Sequence, residues 1–262
     1  MIVNLEKSKE EFLKYTENYD LENESIKRKQ LHSLRVMRIS KEIASGLNLN
    51  DDEKQIATLI GLLHDIARFE QYTQYKTFRD KDSIDHGDLG AKILEKDIRK
   101  YIETDKYDEI IIKAVKNHNK YSIEEGLTEK ELLFAKLIRD ADKIDILYEA
   151  VEIFNLGTEI EVENSQISPT FYEKICSKEQ IKRTKNMQMT PADRIISFIA
   201  FIFDINFKTS FQIIQRENYI NQILDRYNFK DKQTKEEVEK IREIANNYIK
   251  EKTLESDWFF WN

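Results

Sequence analysis

The chain has 262 residues, a formal net charge of −7, and only six glycines and two prolines. The acidic balance argues against broad, sequence-independent binding to nucleic acid, because such binding needs an excess of lysine and arginine facing the phosphates. So few helix breakers among many helix formers predict an all-α fold.

Apolar residues recur at helical spacing through the first half of the chain. The predicted helices cover residues 6–19 and 22–46, then a segment from residue 51 to about 64, and segments that start at 86, 107 and 129. Asn50 and Asp85 are the expected N-caps of two of them, because short polar side chains accept hydrogen bonds from the first turn. His64 and Asp65 stand where the apolar stripe of the third helix stops.

The helical pattern breaks after Leu156. The polar stretch 157–169 includes one candidate strand, over residues 159–162, and helical periodicity returns from Ala192 and ends with residues 235–252. The aromatic tail 258–261 is expected to pack on its own fold or on a partner subunit. We therefore expect a chemistry-bearing core, residues 1–156, extended by a C-terminal helical region, residues 157–262, that packs on it.

The chain has four histidines, and all of them fall in predicted helices or at their ends: His32, His64, His86 and His118. His64 is followed at once by Asp65, and an acidic cluster lies at Asp140–Asp145. Imidazole and carboxylate are the ligands that zinc, iron and manganese prefer in proteins. This pattern predicts a metal site.

Adjacent residues on a helix point about 100° apart, so His64 and Asp65 reach one ion only at the end of their helix. The economical hypothesis is a dinuclear centre in which Asp65 bridges. One ion is held by His32, His64, Asp65 and Asp142, and the other by Asp65, His86 and His118. The alternative is a single ion, with His86 and His118 contacting the substrate.

These motifs resemble the HD superfamily of metal-dependent phosphohydrolases. The resemblance rests on His32, on His64-Asp65 and on the sequence Ala-Asp-Lys-Ile-Asp at 141–145, and it covers about residues 26–150. In that family the metal-binding aspartate directly precedes Lys or Arg, which implies Asp142. The additional His86 and His118 are similar to the subgroup with two metals, whose members include cyclic-dinucleotide phosphodiesterases and di-iron oxygenases. No GYP sequence stands beside the motif, so a dedicated cyclic-di-GMP role has no direct support.

The resemblance implies hydrolysis of a phosphomonoester or phosphodiester, in a nucleotide or similar small metabolite, by metal-activated hydroxide. Asp65, Arg68 and Lys143 are the candidate catalytic residues, the two cations for neutralising a phosphate oxygen. The ligand set accepts Mn, Fe, Co, Ni or Zn, as one or two ions. The alternative functions are a non-catalytic nucleotide sensor and, ranked below it, a di-iron oxygenase.

Three features bear on where the protein resides. The single cysteine, Cys176, excludes an internal disulfide, and the N-terminus shows no signal peptide pattern. The longest apolar run, residues 195–203, is too short to cross a bilayer. We expect a soluble, cytoplasmic protein without a membrane partner, and homodimer formation stays open.

Overall fold

The computed structural model describes residues 2–154, 157–182, 184 and 187–254. Within these ranges the regular structure consists of helices, and no strand is present. The all-α prediction is confirmed. Leu156 and the aromatic tail 258–261 lie outside the described residues.

The chain divides into two compact units, residues 1–142 and residues 143–262. The division falls inside one long helix, between Asp142 and Lys143. The boundary at 156 that the sequence suggested between a chemistry-bearing core and its extension stays a prediction.

The first unit is built from a chain of amphipathic helices. They are α1 (Leu5–Thr16), α2 (Glu24–Gly46), α3 (Asp51–Leu63), α4 (Arg68–Tyr75), α5 (His86–Asp97), α6 (Asp108–Asn117) and the first part of α7 (Glu129–Glu152). One-turn 3-10 segments lie at Asp80–Asp82 and Ile98–Lys100. Helix α2 packs along α3, and α5 packs along α6.

Side-chain caps start two of these helices where the sequence predicted them. The Asn50 side chain accepts a hydrogen bond from the Glu53 backbone N–H at 3.0 Å, and the Glu53 carboxylate in turn accepts from Asn50 N–H at 3.2 Å. Asp85 accepts from the Asp88 N–H at 3.0 Å and so fixes the first turn of α5. These caps satisfy backbone donors that would otherwise have no partner in the helix.

Helix α3 is the most deeply buried element of the first unit. All eight residues from Ile56 to Leu63 are buried. Gly61 lies against α2, because a Cβ at this position would stand 2.6 Å from Ser40 Oγ and 2.9 Å from both Met37 Cα and Val36 O. The absence of a side chain at Gly61 therefore allows α2 and α3 to approach closely, just before α3 ends at His64.

The second unit contains the end of α7 and six shorter or terminal helices. They are α8 (Glu159–Glu163), α9 (Pro169–Cys176), α10 (Pro191–Ile199), α11 (Lys208–Arg216), α12 (Tyr219–Asp225) and α13 (Lys232–Leu254). The strand expected over 159–162 is wrong, because these residues form α8. Thr158 accepts from the Glu161 N–H at 3.3 Å, while the Glu161 carboxylate accepts from the Thr158 N–H at 2.8 Å. This capping box starts a helical turn.

The apolar segment of residues 195–203 forms most of α10 and of the 3-10 turn Ala200–Asp204 that follows it. Ile195, Ile196, Ile199 and Ile202 are fully buried, so this segment is core of the second unit. Among the described residues, no helix is both long enough and apolar enough to span a membrane.

Candidate metal centre

Helix ends bring the candidate ligands of the first unit together. His64 is the C-cap of α3 and His118 the C-cap of α6, while His86 is the first residue of α5. Asp65 follows His64 in a turn, and His32 and Asp142 project from within α2 and α7. All four histidines and Asp65 are at most 3% exposed, so their polar atoms face one another rather than solvent.

One group of ligand atoms consists of His32, His64, Asp65 and Asp142. His32 Nε2 lies 3.1 Å from His64 Nε2 and 3.1 Å from Asp142 Oδ1. Asp65 Oδ2 lies 3.5 Å from His32 Nε2 and 3.7 Å from His64 Nε2. Donor atoms of His32, His64 and Asp142 lie within 4.8 Å of one another, a spacing at which they could hold one ion.

The second group uses the other oxygen of Asp65. Asp65 Oδ1 lies 3.4 Å from His86 Nε2 and 3.5 Å from His118 Nε2, and these two nitrogens are 2.9 Å apart. The two carboxylate oxygens of Asp65 therefore face two different histidine pairs. His64 and His118 also lie ring to ring, with centroids 5.1 Å apart, so the two groups adjoin.

The second ring nitrogen of three of these histidines already has an acceptor. His64 Nδ1 donates to Gly61 O at 2.9 Å, and His118 Nδ1 donates to Val115 O at 2.6 Å. His86 Nδ1 donates to the Asp80 carboxylate at 2.7 Å. A neutral imidazole carries one N–H, so the hydrogen-bond partners assign an unprotonated Nε2 to each of these three rings. Lone pairs on His86 Nε2 and His118 Nε2 then face each other, and a cation between them removes the repulsion. The donor set thus fits a divalent metal ion.

Positive side chains surround the central carboxylate. Lys29 Nζ lies 2.8 Å from Asp65 Oδ2, and Arg68 Nε lies 3.3 Å from Asp65 Oδ1. Burial alone would raise the pKa of Asp65, but the Lys29 ammonium, His64 and the Arg68 guanidinium together lower its pKa well below the usual value. Asp65 is therefore a carboxylate at any physiological pH, as a metal ligand must be.

The imidazole of His86 is neutral. Burial lowers the pKa of His86 to about 3, with a further decrease from the Arg68 guanidinium, although the Asp80 carboxylate acts in the opposite direction. The pKa of His64 is likewise lowered by burial, against the opposing effect of Asp65 and Asp142. A neutral imidazole offers the lone pair that a metal ion needs.

The two candidate catalytic cations have different surroundings. Arg68 Nη1 donates to Gln71 Oε1 at 2.8 Å, to Phe78 O at 2.6 Å and to Asp80 Oδ1 at 3.2 Å. In the described part of the chain, no hydrogen bond or ion pair involves Arg68 Nη2, which leaves this group available to an anion. Lys143 belongs to the second unit, where its ammonium pairs with Asp204 Oδ2 at 2.7 Å. A catalytic role for Lys143 stays a prediction.

Three polar residues that support the ligands were not expected from the sequence. They are Lys29 beside Asp65, Asp80 beside His86, and Arg139 beside the end of α6. Lys29 lies three residues before His32, one helical turn away on the same side of α2, and this spacing is a signal that could have found it. Asp80 and Arg139 carry no comparable pattern, because each reaches its partner through the tertiary fold.

Residues 31–147 match the family model of the HD domain. The chain contains an HD domain. The match spans α2 to α7 and so includes His32, His64-Asp65, His86, His118 and Asp142. No curated protein and no solved structure matches the chain at significant similarity.

HD domains make up a superfamily of metal-dependent phosphohydrolases, and the resemblance seen in the sequence is thereby confirmed at the level of the domain. The groups of His and Asp side chains in this HD domain could bind metal.

Proposed function

We propose that this HD domain is a phosphohydrolase with two divalent ions, which cleaves a phosphomonoester or phosphodiester of a small metabolite. The first ion would be held by His32, His64, Asp142 and Asp65 Oδ2. The second would be held by Asp65 Oδ1, His86 and His118. The native metal is one that both imidazole and carboxylate accept, such as Mn, Fe, Co, Ni or Zn.

The position of Asp65 supports two ions rather than one. Its Oδ2 lies 3.5 Å from a nitrogen of His32, whereas its Oδ1 lies 3.4 Å from His86. A carboxylate that serves one ion does not need its second oxygen beside another pair of histidines. In a two-ion centre the Asp65 carboxylate would use both oxygens, one toward each pair of histidines.

When bound, such ions activate a water molecule as nucleophile and compensate negative charge on the phosphoryl group. The protein would contribute the orientation of the substrate. Arg68 Nε is anchored on Asp65 and Arg68 Nη1 on Asp80, and the remaining Nη2 group would donate to a phosphate oxygen of the substrate. Lys29, 2.8 Å from Asp65 Oδ2, adds a second positive charge on the side of the first ion.

The substrate class follows from this charge. Two divalent ions with Lys29 and Arg68 exceed the negative charge of Asp65, Asp142 and Asp80, so the loaded pocket is positive within an acidic chain. A phosphate ester matches that charge. A nucleotide is the first choice, with the phosphate bound to the ions.

The test is phosphate release by metal-stripped protein that has been reconstituted separately with Mn, Fe, Co, Ni or Zn. The substrates are pooled phosphomonoesters and pooled phosphodiesters, the latter coupled to a phosphatase. The variant is Asp65→Ala, and the matched control is Asp51→Ala, whose side chain is 95% exposed at the start of α3. Wild type and the control should release phosphate. The rate of phosphate release by Asp65→Ala should be lower by a factor of about 100 or more, and this variant should bind neither ion.

Other results would favour a different function for the protein. No release from any pool by protein that binds metal would exclude the hydrolase for these substrates. A nucleotide that binds without turnover would then favour a sensor. Oxygen consumption with a mixed-valence iron spectrum would favour an oxygenase.

A further inference from the structure

Asp80 contacts His86 at the ring nitrogen that faces away from the other candidate ligands. Its two oxygens lie 2.8 and 2.7 Å from His86 Nδ1. His86 Nε2 points the other way, toward His118 and Asp65. Asp80 thus determines which nitrogen of His86 carries the proton, and leaves Nε2 free to bind an ion.

The Asp80 carboxylate is itself fixed by neighbouring donors. Oδ1 accepts from Arg68 Nη1 at 3.2 Å and from Gln71 Nε2 at 2.9 Å, and Oδ2 accepts from Asn119 Nδ2 at 3.0 Å. Gln71 is fully buried. These donors come from α4 and from the residue after His118, so the carboxylate has a defined orientation rather than that of a surface side chain.

The same contacts hold the polar segment 76–85 against the site. Gln71 Nε2 donates to Ser83 Oγ and to Ile84 O, each at 2.9 Å, and Arg68 Nη1 donates to Phe78 O at 2.6 Å. Phe78 in turn lies beside the cations, its ring centroid 5.6 Å from Arg68 Cζ and 5.8 Å from Lys29 Nζ. Segment 76–85 therefore forms one wall next to Asp65.

We propose that Asp80 is a positioning residue: it holds His86 in the tautomer that can ligate the second ion and ties segment 76–85 to the metal centre. The part of this inference that concerns binding of the second ion rests on the proposed two-ion function. The tautomer of His86 does not depend on that function and is measured separately.

Asp80→Asn is a sharper test than removal of the side chain. Arg68 and Gln71 both donate to Oδ1, so the amide oxygen of the variant should remain there and its NH₂ group should take the position of Oδ2, which lies 2.7 Å from His86 Nδ1. Asn119 Oδ1 is buried and has no hydrogen-bond partner in the described structure, so Asn119 can turn its amide to accept from this NH₂, although it then loses its donation to Asp85 Oδ1. The hydrogen bonds from Arg68 and Gln71 to the segment would be retained while the preferred tautomer of His86 is reversed, so a purely structural role predicts little effect on the tautomer.

The experiment records ¹⁵N–¹H correlations of the imidazole rings in metal-free protein, a tractable measurement because the chain has four histidines. The variants are Asp80→Asn and the matched control Asp82→Asn, in the same 3-10 turn but 38% exposed and paired only loosely with Arg79 at 3.9 Å. Calorimetric titration with Mn²⁺ or Zn²⁺ then gives the number and affinity of bound ions, and circular dichroism verifies that each variant is folded.

The His86 ring is identified as the one whose resonances change in Asp80→Asn. In wild type and in Asp82→Asn, this ring should be protonated on Nδ1. In Asp80→Asn that ring should move to the Nε2–H form, and one of the two ions should bind 10- to 100-fold more weakly while the other is retained. An unchanged tautomer in folded Asp80→Asn, or the same change in Asp82→Asn, overturns the inference. If wild type binds a single ion, the two-ion function fails, and a tautomer change in Asp80→Asn still supports the positioning role.

Discussion

At the scale of single residues, the candidate ligands contact side chains that lie far from them in sequence. Arg139, on α7 and 3% exposed, donates to backbone carbonyls at the end of α6. Its Nη1 lies 3.2 Å from Asn117 O and 3.5 Å from His118 O and also contacts Lys120 O, and its Nη2 lies 3.4 Å from Tyr121 O. Helix C-terminal carbonyls lack intrahelical donors, so Arg139 stabilises the turn that presents His118.

We expect Arg139→Met, which keeps the volume and removes the donors, to lower the free energy of unfolding by about 2–3 kcal/mol, because buried carbonyls lose their partners. The same substitution should lower the affinity for the ion at His86 and His118 more than the affinity for the other ion. Chemical denaturation and metal titration measure the two effects. Arg99→Met is the control: Arg99 also donates to a carbonyl, that of Ile102 at 3.1 Å, but its side chain is 43% exposed. Equal losses in both variants would contradict this role of Arg139.

At the scale of helices, the close approach of α2 and α3 brings His32 and His64 to the same place. Gly61 lies one turn before His64, and its carbonyl accepts from His64 Nδ1 at 2.9 Å. The nearest atoms to a Cβ at Gly61 include the backbone of Met37 and Val36, and backbone cannot move aside as the end of a side chain can.

We expect Gly61→Ala to destabilise the protein by about 1–3 kcal/mol through overpacking, even though alanine is the better helix former by about 1 kcal/mol. Gly90→Ala in α5 is the matched control. A Cβ there would stand 3.0 Å from Val115 Cγ1, the end of a side chain, and 3.7 Å from Ile66 Cγ2. Thermal unfolding should rank Gly61→Ala as the less stable of the two variants, and the reverse order would refute the argument from close packing.

At the scale of the whole molecule, metal binding should stabilise the first unit, because the proposed ligands lie within residues 1–142. A ligand that binds only the folded state raises the free energy of unfolding by roughly 2.7 kcal/mol when its free concentration is about a hundred times its dissociation constant. Removal of metal by a chelator should therefore lower the melting temperature of wild type, whereas Asp65→Ala should show no such difference.

Hydrogen exchange with and without metal locates this effect along the chain. Increased protection should concentrate in α2, α3, α5 and α6, the helices that carry or present the histidines. Protection that increases only within residues 143–262 would contradict the proposed ligand set.

The sequence alone determined the helical class, several helix starts and the chemical type of the candidate ligands. Asn50 and Asp85 could be recognised as caps because a cap acts on backbone groups within three residues of itself, and that information is local. The strand predicted over residues 159–162 is wrong for an equally local reason. Thr158 and Glu161 form a capping box, and this pair starts a helical turn instead.

Only the tertiary structure decided how the ligands are arranged and supported. The assignment of Asp65 Oδ2 to one histidine pair and Oδ1 to the other depends on where α2, α5, α6 and α7 meet. Asp80 and Arg139 resemble ordinary charged residues in the sequence, and their roles arise because the tertiary fold places one beside His86 and the other at the end of α6. A charged side chain acquires a specific partner through such packing, which depends on residues distant in sequence.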